Sequence, residues 1–126
     1  ARTEENVAAV ADKFSTPTYT QDIAALLRPL LRDDSVSGLL HLANGGECSW
    51  QEYAQWALDC CHRHGVPMRA TTVGASSLGD MTSFVARRPV YTVLGTGKLC
   101  RLTNNRPRDW HDAVEDYVRE HYVVQV

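Results

Sequence analysis

The chain has 126 residues, 44% of them hydrophobic and 22% charged, the proportions of an ordinary water-soluble globular fold with enough length to bury a core. Its net charge of −2 and the lack of any basic block argue against nucleic acid or an anionic membrane surface as partners. No apolar run approaches the ~20 residues of a spanning helix, and the polar N-terminus is unlike a signal peptide. Four cysteines without a disulfide framework make a reduced, cytoplasmic chain the expectation.

Residues 1–6 are polar and expected to fray. A start at Ala1 rather than Met is what a processed or truncated chain would show. Val7 to Val10 is a strand candidate, diluted by Ala. Asp12 to Thr18 reads as a loop, with Pro17 forcing Thr16 into an extended conformation. Thr18 and Gln21 stand at capping-box spacing. Ile23, Leu26, Leu27, Leu30 and Leu31 then recur on one helical face, predicting a helix near Thr20–Arg32. Pro29 inside it predicts a kink or an early 3₁₀ finish.

The stretch from Gly38 to Gly65 is the centre of the pattern. Leu39 to Ala43 is a short, nearly continuous apolar run of the kind that forms a buried strand. Asn44, Gly45 and Gly46 stop it, and they read as turn formers rather than a phosphate cradle because no G-x-G-x-x-G surrounds them. Ser49 and Glu52 form a capping box, with Cys48 and Tyr53 at the flanking staple positions. A helix near Ser49–His64 follows, closed by Gly65 and Pro67.

Beyond it, Met68 to Val73 is β-branched and predicts a strand, while Gly74 to Ser83 has no periodicity and predicts a long functional loop. Val90 to Leu94 predicts a short extended segment, and Lys98 to Leu102 a helical turn. Asp109 is a good N-cap for a last helix near Asp109–His121, packing through Trp110, Ala113, Val114, Tyr117 and Val118. Alternating strands and helices predict an α/β fold. With so few strands the sheet is thin and its edges exposed, so the chain reads as part of a larger body.

Cys48, Cys60, Cys61 and Cys100 lack the spacing of a disulfide framework. Cys60 and His64 share a helical face and raise a metal reading. No second ligand pair accompanies them, so two small core thiols is the plainer expectation, with no metal. Trp50 and Trp110 each open an amphipathic helix, which favours core anchoring over base stacking.

Four segments together resemble one family. Val10 to Thr18 followed by Asp22-Ile23-Ala24 is similar to its V-x-D-Q-x-G-x-P-T…D-[IL]-A stretch. Leu39 to Ala43, with Ser49-Trp50 and Glu52-Tyr53-Ala54, is similar to Y-H-L-A…S-W-x-[ED]-[FY]-A. Arg87-Arg88-Pro89 and Gly95 to Leu99 resemble R-P-x-x-S-x-L-D-T-x-K-L, and Asp109 to Val114 resembles the terminal W-R-[ED]-[AG]-[LV] helix. The family is dTDP-4-dehydrorhamnose reductase, an extended short-chain dehydrogenase/reductase. The resemblance lies at its C-terminal, sugar-nucleotide-binding end. Departures include Lys13 for the usual Gln, Ser15 for Gly, Thr92 for Ser and Gly95 for Asp.

The resemblance implies a single substrate-binding domain over residues 1–126, partnered in the parent protein by an N-terminal Rossmann half. That parent would reduce the C4 ketone of dTDP-4-dehydro-L-rhamnose with NADPH. This chain has neither the Gly-rich cofactor loop nor the Tyr-x-x-x-Lys pair: no tyrosine has a lysine four residues later. No cofactor, no catalytic residue and no activity are therefore expected of it alone. What it can supply is substrate binding. Arg88, matching the R-P motif, is the first candidate for the diphosphate and Arg87 the second, since a guanidinium suits bidentate phosphate recognition. A structural role for Arg88 remains open. Thr16, Pro17 and Thr18 are candidates for the site wall, against a simple capping-loop role. Two other functions stay in view: a non-catalytic binding or regulatory module of this fold, and a self-standing structural or metal-binding domain. Uncovered apolar surface would also favour a homo-oligomer.

Overall fold

Residues 1–123 are described by the computed structural model. In chain order the elements are β1 (Val7–Val10), β2 (Phe14–Ser15), α1 (Thr20–Leu30), β3 (Cys48–Ser49), α2 (Trp50–Arg63), β4 (Val73–Ser76), a 3₁₀ turn at Leu78–Asp80, α3 (Gly97–Thr103) and α4 (Trp110–His121). β1 and β4 pair in parallel, with Val7 opposite Val73 and Val10 opposite Ser76. β2 and β3 pair antiparallel, with Phe14 opposite Ser49. Both sheets are two-stranded, and such ribbons persist only where another layer covers them.

That layer is α2. The capping box predicted at its start is formed: the Ser49 hydroxyl accepts the Glu52 N–H, and the Glu52 carboxylate accepts the Ser49 N–H at 2.7 Å. Gly65, at φ +71°, closes the helix in the left-handed conformation. One side of α2 lies on the parallel pair, where Leu58, Ala70 and Val73 are buried against Val7, Ala9, Ala54 and Met68. The other side meets α4: Cys60, Cys61, Val66 and Val118 form one buried cluster, and Cys48, Trp110 and Val114 another. Trp56 bridges both and donates its indole N–H to the His111 carbonyl at 3.1 Å. The predicted helix at Asp109 is present, and Asp109 caps it by accepting the His111 N–H.

Several expectations need correction. Thr18 does not cap α1. The cap position is Tyr19, which uses no side-chain bond, because the Thr18 hydroxyl is engaged by the Thr16 carbonyl and the Asn44 N–H. Leu39 to Ala43 is not a strand. Leu39 is 80% exposed, and the Ser37 and Leu39 carbonyls are held by the Lys98 ammonium at 2.8 and 3.0 Å instead of by a ladder. The strand expected at Met68–Val73 begins only at Val73. Its predecessors are bound otherwise: Arg69 and Ala70 donate to the Ala1 carbonyl, and the His62 ring meets the Ala70 carbonyl at 2.8 Å. The long loop of Gly74 to Ser83 is accordingly shortened by β4 and the 3₁₀ turn. From Val90 to Leu94 only Tyr91 bridges, to Phe14.

α1 closes in the 3₁₀ finish expected from Pro29. Arg32 and Asp33 donate to the Pro29 and Leu30 carbonyls, three residues back in each case. Its apolar stripe is largely uncovered: Leu26 is buried, but Leu27 is 38% and Leu31 74% exposed.

α2 and α4 are also clamped at one end by charge. Glu115 accepts from Arg63 and from the His64 ring at 2.8 and 3.0 Å, and these two bonds hold its carboxyl below the ordinary 4.5. A depressed acid stabilises the fold above its unfolded pKa and loses that contribution as pH falls through the folded value. The melting temperatures of wild type and Glu115→Gln should therefore differ near neutral pH and converge on acidification below 4.5. A gap that stays constant however far the pH is lowered would mean that the ion pair is not its source.

Candidate functional site

In open α/β folds ligands collect beyond the carboxyl ends of the parallel strands. Here those ends are tied together. Asp12, just after β1, accepts from the Ser77 hydroxyl and the Leu78 N–H, both at 2.7 Å, just after β4. These two bonds hold the Asp12 carboxyl below its usual range. The N-terminus of α2 joins the same region, since the Trp50 N–H donates to the Lys13 carbonyl at 3.2 Å.

A short ladder of cations and rings is built on this frame. The Lys13 ammonium sits 5.5 Å from the Trp50 ring centre. Phe84 meets Trp50 edge-to-face at 6.4 Å, and the Arg88 guanidinium lies 5.2 Å from the Phe84 ring. Such contacts favour flat, electron-rich or anionic ligands that extend the stack or neutralise its ends. The strap from Pro89 to Thr92 lies alongside β2. The Lys13 ammonium donates to the Pro89 carbonyl at 2.6 Å, Phe14 donates to Val90, and Thr92 donates to Phe14 through both its N–H and its hydroxyl. The Tyr91 hydroxyl donates to the Glu47 carboxylate, which raises the phenol's pKa.

The residues expected from sequence divide into two groups. Arg88 stands in this ladder, and Arg87 is exposed beside it with no hydrogen bond or ion pair among the described residues. Thr16 is tied to the Gly46 turn, donating to its carbonyl at 2.7 Å. Pro17 and Thr18 lie elsewhere, on a groove of about 610 Å³ between β1, α2 and α4. That groove has an apolar floor of Val7, Ala54, Leu58 and Val114, and Arg2 is its only charged side chain among the described residues. The cations and rings gather away from it. Its chemistry suits a packed protein segment better than a phosphate.

Lys13, Trp50 and Phe84 are the members that sequence reasoning missed. Trp110 is a core anchor at 2% exposure, but Trp50 is only half-buried and turns its ring to the ladder. The available signal was Lys13 itself, a charge in a position where the resembling family carries Gln.

The metal reading of Cys60 and His64 finds no third partner: among the described residues no group of three His, Cys, Asp or Glu is placed to hold an ion. His64 is engaged by Glu115, and Cys60 is fully buried, with burial pushing its thiol up to about 11. Burial, then the Glu52 and Asp109 carboxylates, push Cys48 up to about 12. An excess of a disulfide reagent on native protein should thus label Cys100 rapidly and Cys48, Cys60 and Cys61 only on unfolding. Four equally fast thiols would contradict the buried core.

Comparison with known proteins identifies the family. The profile described as RmlD substrate binding domain matches residues 1–123. The spore coat polysaccharide biosynthesis protein SpsK of Bacillus subtilis is 30% identical over 95% of this chain and 39% of its own length. The dTDP-4-dehydrorhamnose reductase of Mycolicibacterium smegmatis is 31% identical over 86% of this chain and 32% of its own. Among solved structures, dTDP-4-dehydrorhamnose reductase from Bacillus anthracis in complex with NADP superposes with a TM-score of 0.79 at 26% identity, over 95% of this chain and 39% of that one. This chain thus spans between about a third and two fifths of the length of these relatives. The resemblance read from the four segments holds, and the chain belongs to the RmlD substrate binding domain family.

Proposed function

We propose that this chain is the sugar-nucleotide-binding part of an NADPH-dependent reductase acting on the C4 ketone of dTDP-4-dehydro-L-rhamnose. The observation that carries the reading is the Lys13–Trp50–Phe84–Arg88 ladder at the carboxyl ends of β1 and β4. Arg88 pairs with the diphosphate, Arg87 reinforces the local field, and Thr16, through its bond to Gly46, fixes the turn beside α2. Pro17 and Thr18 shape the neighbouring groove wall. An N-terminal Rossmann half supplies NADPH and the proton donor, and packs on apolar surface such as Leu27 of α1 and Leu31 just after it. The relatives' greater length and the NADP held by the Bacillus anthracis enzyme support that division. Residues 1–126 act as one unit, in the cytoplasm.

The division sets the chemistry. Hydride transfer needs a nicotinamide held at a glycine turn, and proton donation needs a tyrosine beside a lysine. Neither pattern occurs in this sequence. Titration calorimetry should show dTDP bound by the purified chain, weakened by about tenfold in Arg88→Ala, the loss of one charge-assisted contact. NADPH absorbance should stay constant with any dTDP-4-ketohexose. Turnover by the isolated chain would refute its dependence on a Rossmann half, and absence of dTDP binding would refute the site.

A further inference from the structure

Resting on that reading of the site, we infer that Lys13 is the anchoring cation of an anion subsite beneath the Arg88–Thr92 strap, and that the anion it takes is the diphosphate of a nucleotide sugar. Lys13 is only 7% exposed. An ammonium carries three N–H donors and a full charge, and burying it is expensive unless both are matched. Among the described residues its ammonium has one acceptor, the Pro89 carbonyl at 2.6 Å, and one ring face, Trp50 at 5.5 Å. No carboxylate pairs with it among the described residues.

Carboxylates on the adjoining elements are engaged elsewhere. Asp12 is held by Ser77 and Leu78, Glu47 by Tyr91, and Glu52 by the Ser49 N–H. The positive charge thus lies buried without a counter-ion, in a site whose other cation, Arg88, also lacks an ion-pair partner among the described residues. Two unpaired cations joined by two rings match a ligand with more than one negative charge and a flat group beside it.

The cover is thin. Residues 85–92 are exposed throughout, and Val85 is fully so. The Pro89 carbonyl occupies the place that a phosphate oxygen would take on the ammonium. Exchanging the two replaces an ammonium–carbonyl hydrogen bond by an ammonium–phosphate one, which adds the attraction of a second full charge. Arg88 directly precedes Pro89, so the same displacement carries the guanidinium toward the ligand. The two bonds from Thr92 to the Phe14 carbonyl can hold the strap's far end meanwhile.

The test is titration of the 126-residue chain with dTDP, inorganic pyrophosphate and thymidine, in wild type, Lys13→Gln and Lys13→Arg. Gln is the residue the resembling family carries there, so the fold should tolerate it. Expected is a loss of about tenfold or more for dTDP and pyrophosphate in Lys13→Gln, near-recovery in Lys13→Arg, and unchanged thymidine binding. The salt dependence of dTDP binding should also flatten in Lys13→Gln. Equal dTDP affinity in wild type and Lys13→Gln would overturn this inference alone. Parallel loss of thymidine binding and melting temperature would reduce Lys13 to a structural clip and also overturn it. Wild type that binds no dTDP would overturn both this inference and the proposed function.

Discussion

Asn44→Leu is expected to lower the unfolding free energy by about 3 kcal/mol, moving the thermal midpoint down by roughly 10 °C. Asn44 is 2% exposed, and two separate segments, the start of α1 and the loop before α4, are bound to its side chain. Its carbonyl accepts the Tyr19 N–H at 2.9 Å, the orphan donor at the start of α1. Its amide donates to Asp22 at 2.7 Å and to the Arg108 carbonyl at 3.3 Å. Asp22 also receives Arg108 Nε at 2.8 Å, and Arg108 pairs with Asp116. Leu fills a similar volume but offers no donor or acceptor. The Tyr19 N–H is stranded, and Asp22 loses one of its two partners. In urea the midpoint should fall at constant slope. A loss below about 1 kcal/mol would show that water reaches the Tyr19 N–H and replaces the amide.

Local signals were legible wherever the structure satisfies a residue from its own neighbourhood. Ser49 and Glu52 answer each other across three residues, Asp109 answers His111, and α1 ends just after Pro29. The Val7–Val10 strand was legible from its own apolar run, although its partner, β4, lies far along the chain. What failed was register set from a distance. Leu39 to Ala43 has the composition of a strand, yet Lys98 takes the Leu39 carbonyl and that of Ser37 just before it, and no periodicity near position 40 announces a lysine near position 98. Thr18 has the spacing of a cap, but Asn44 reaches it first.

The site divides in the same way. Arg88 came from an R-P motif in the resemblance, a pattern contained in two adjacent residues. Lys13, Trp50 and Phe84 reach one another from two loops and the start of α2, and no sequence window contains more than one of them. The burial of Lys13 could not be read there, because its cover is a strap about 76 residues downstream in the chain. A charge in the place of a neutral family residue was the available hint. Substitution against a family pattern marks a position to examine, while only geometry shows what surrounds it.

Trp110→Ala is expected to have the largest effect, about 4 kcal/mol. Trp110 is 2% exposed at the start of α4, buried with Cys48 and Val114 and flanked by Trp56 and Ala57. Tyr53 meets its ring edge-on at 6.4 Å, and His111 stacks on it at 3.7 Å. Ala would leave a cavity at the seam of α2 and α4, whereas Trp110→Phe should lose about half as much. The indole also defines how closely the Asn44–Gly46 turn can approach. A Cβ at Gly46 would come within 2.9 Å of Trp110 Cδ1 and of Asp109 Oδ2, on a backbone already at φ +83°. Gly46→Ala is thus costly in wild type for three reasons, of which Trp110→Ala removes one. The double variant should lose less than the sum of the two single losses, by about 1 kcal/mol, as expected for side chains in direct contact. Strict additivity would mean that the Gly46 turn yields without meeting the indole, and that backbone conformation with Asp109 accounts for its whole effect.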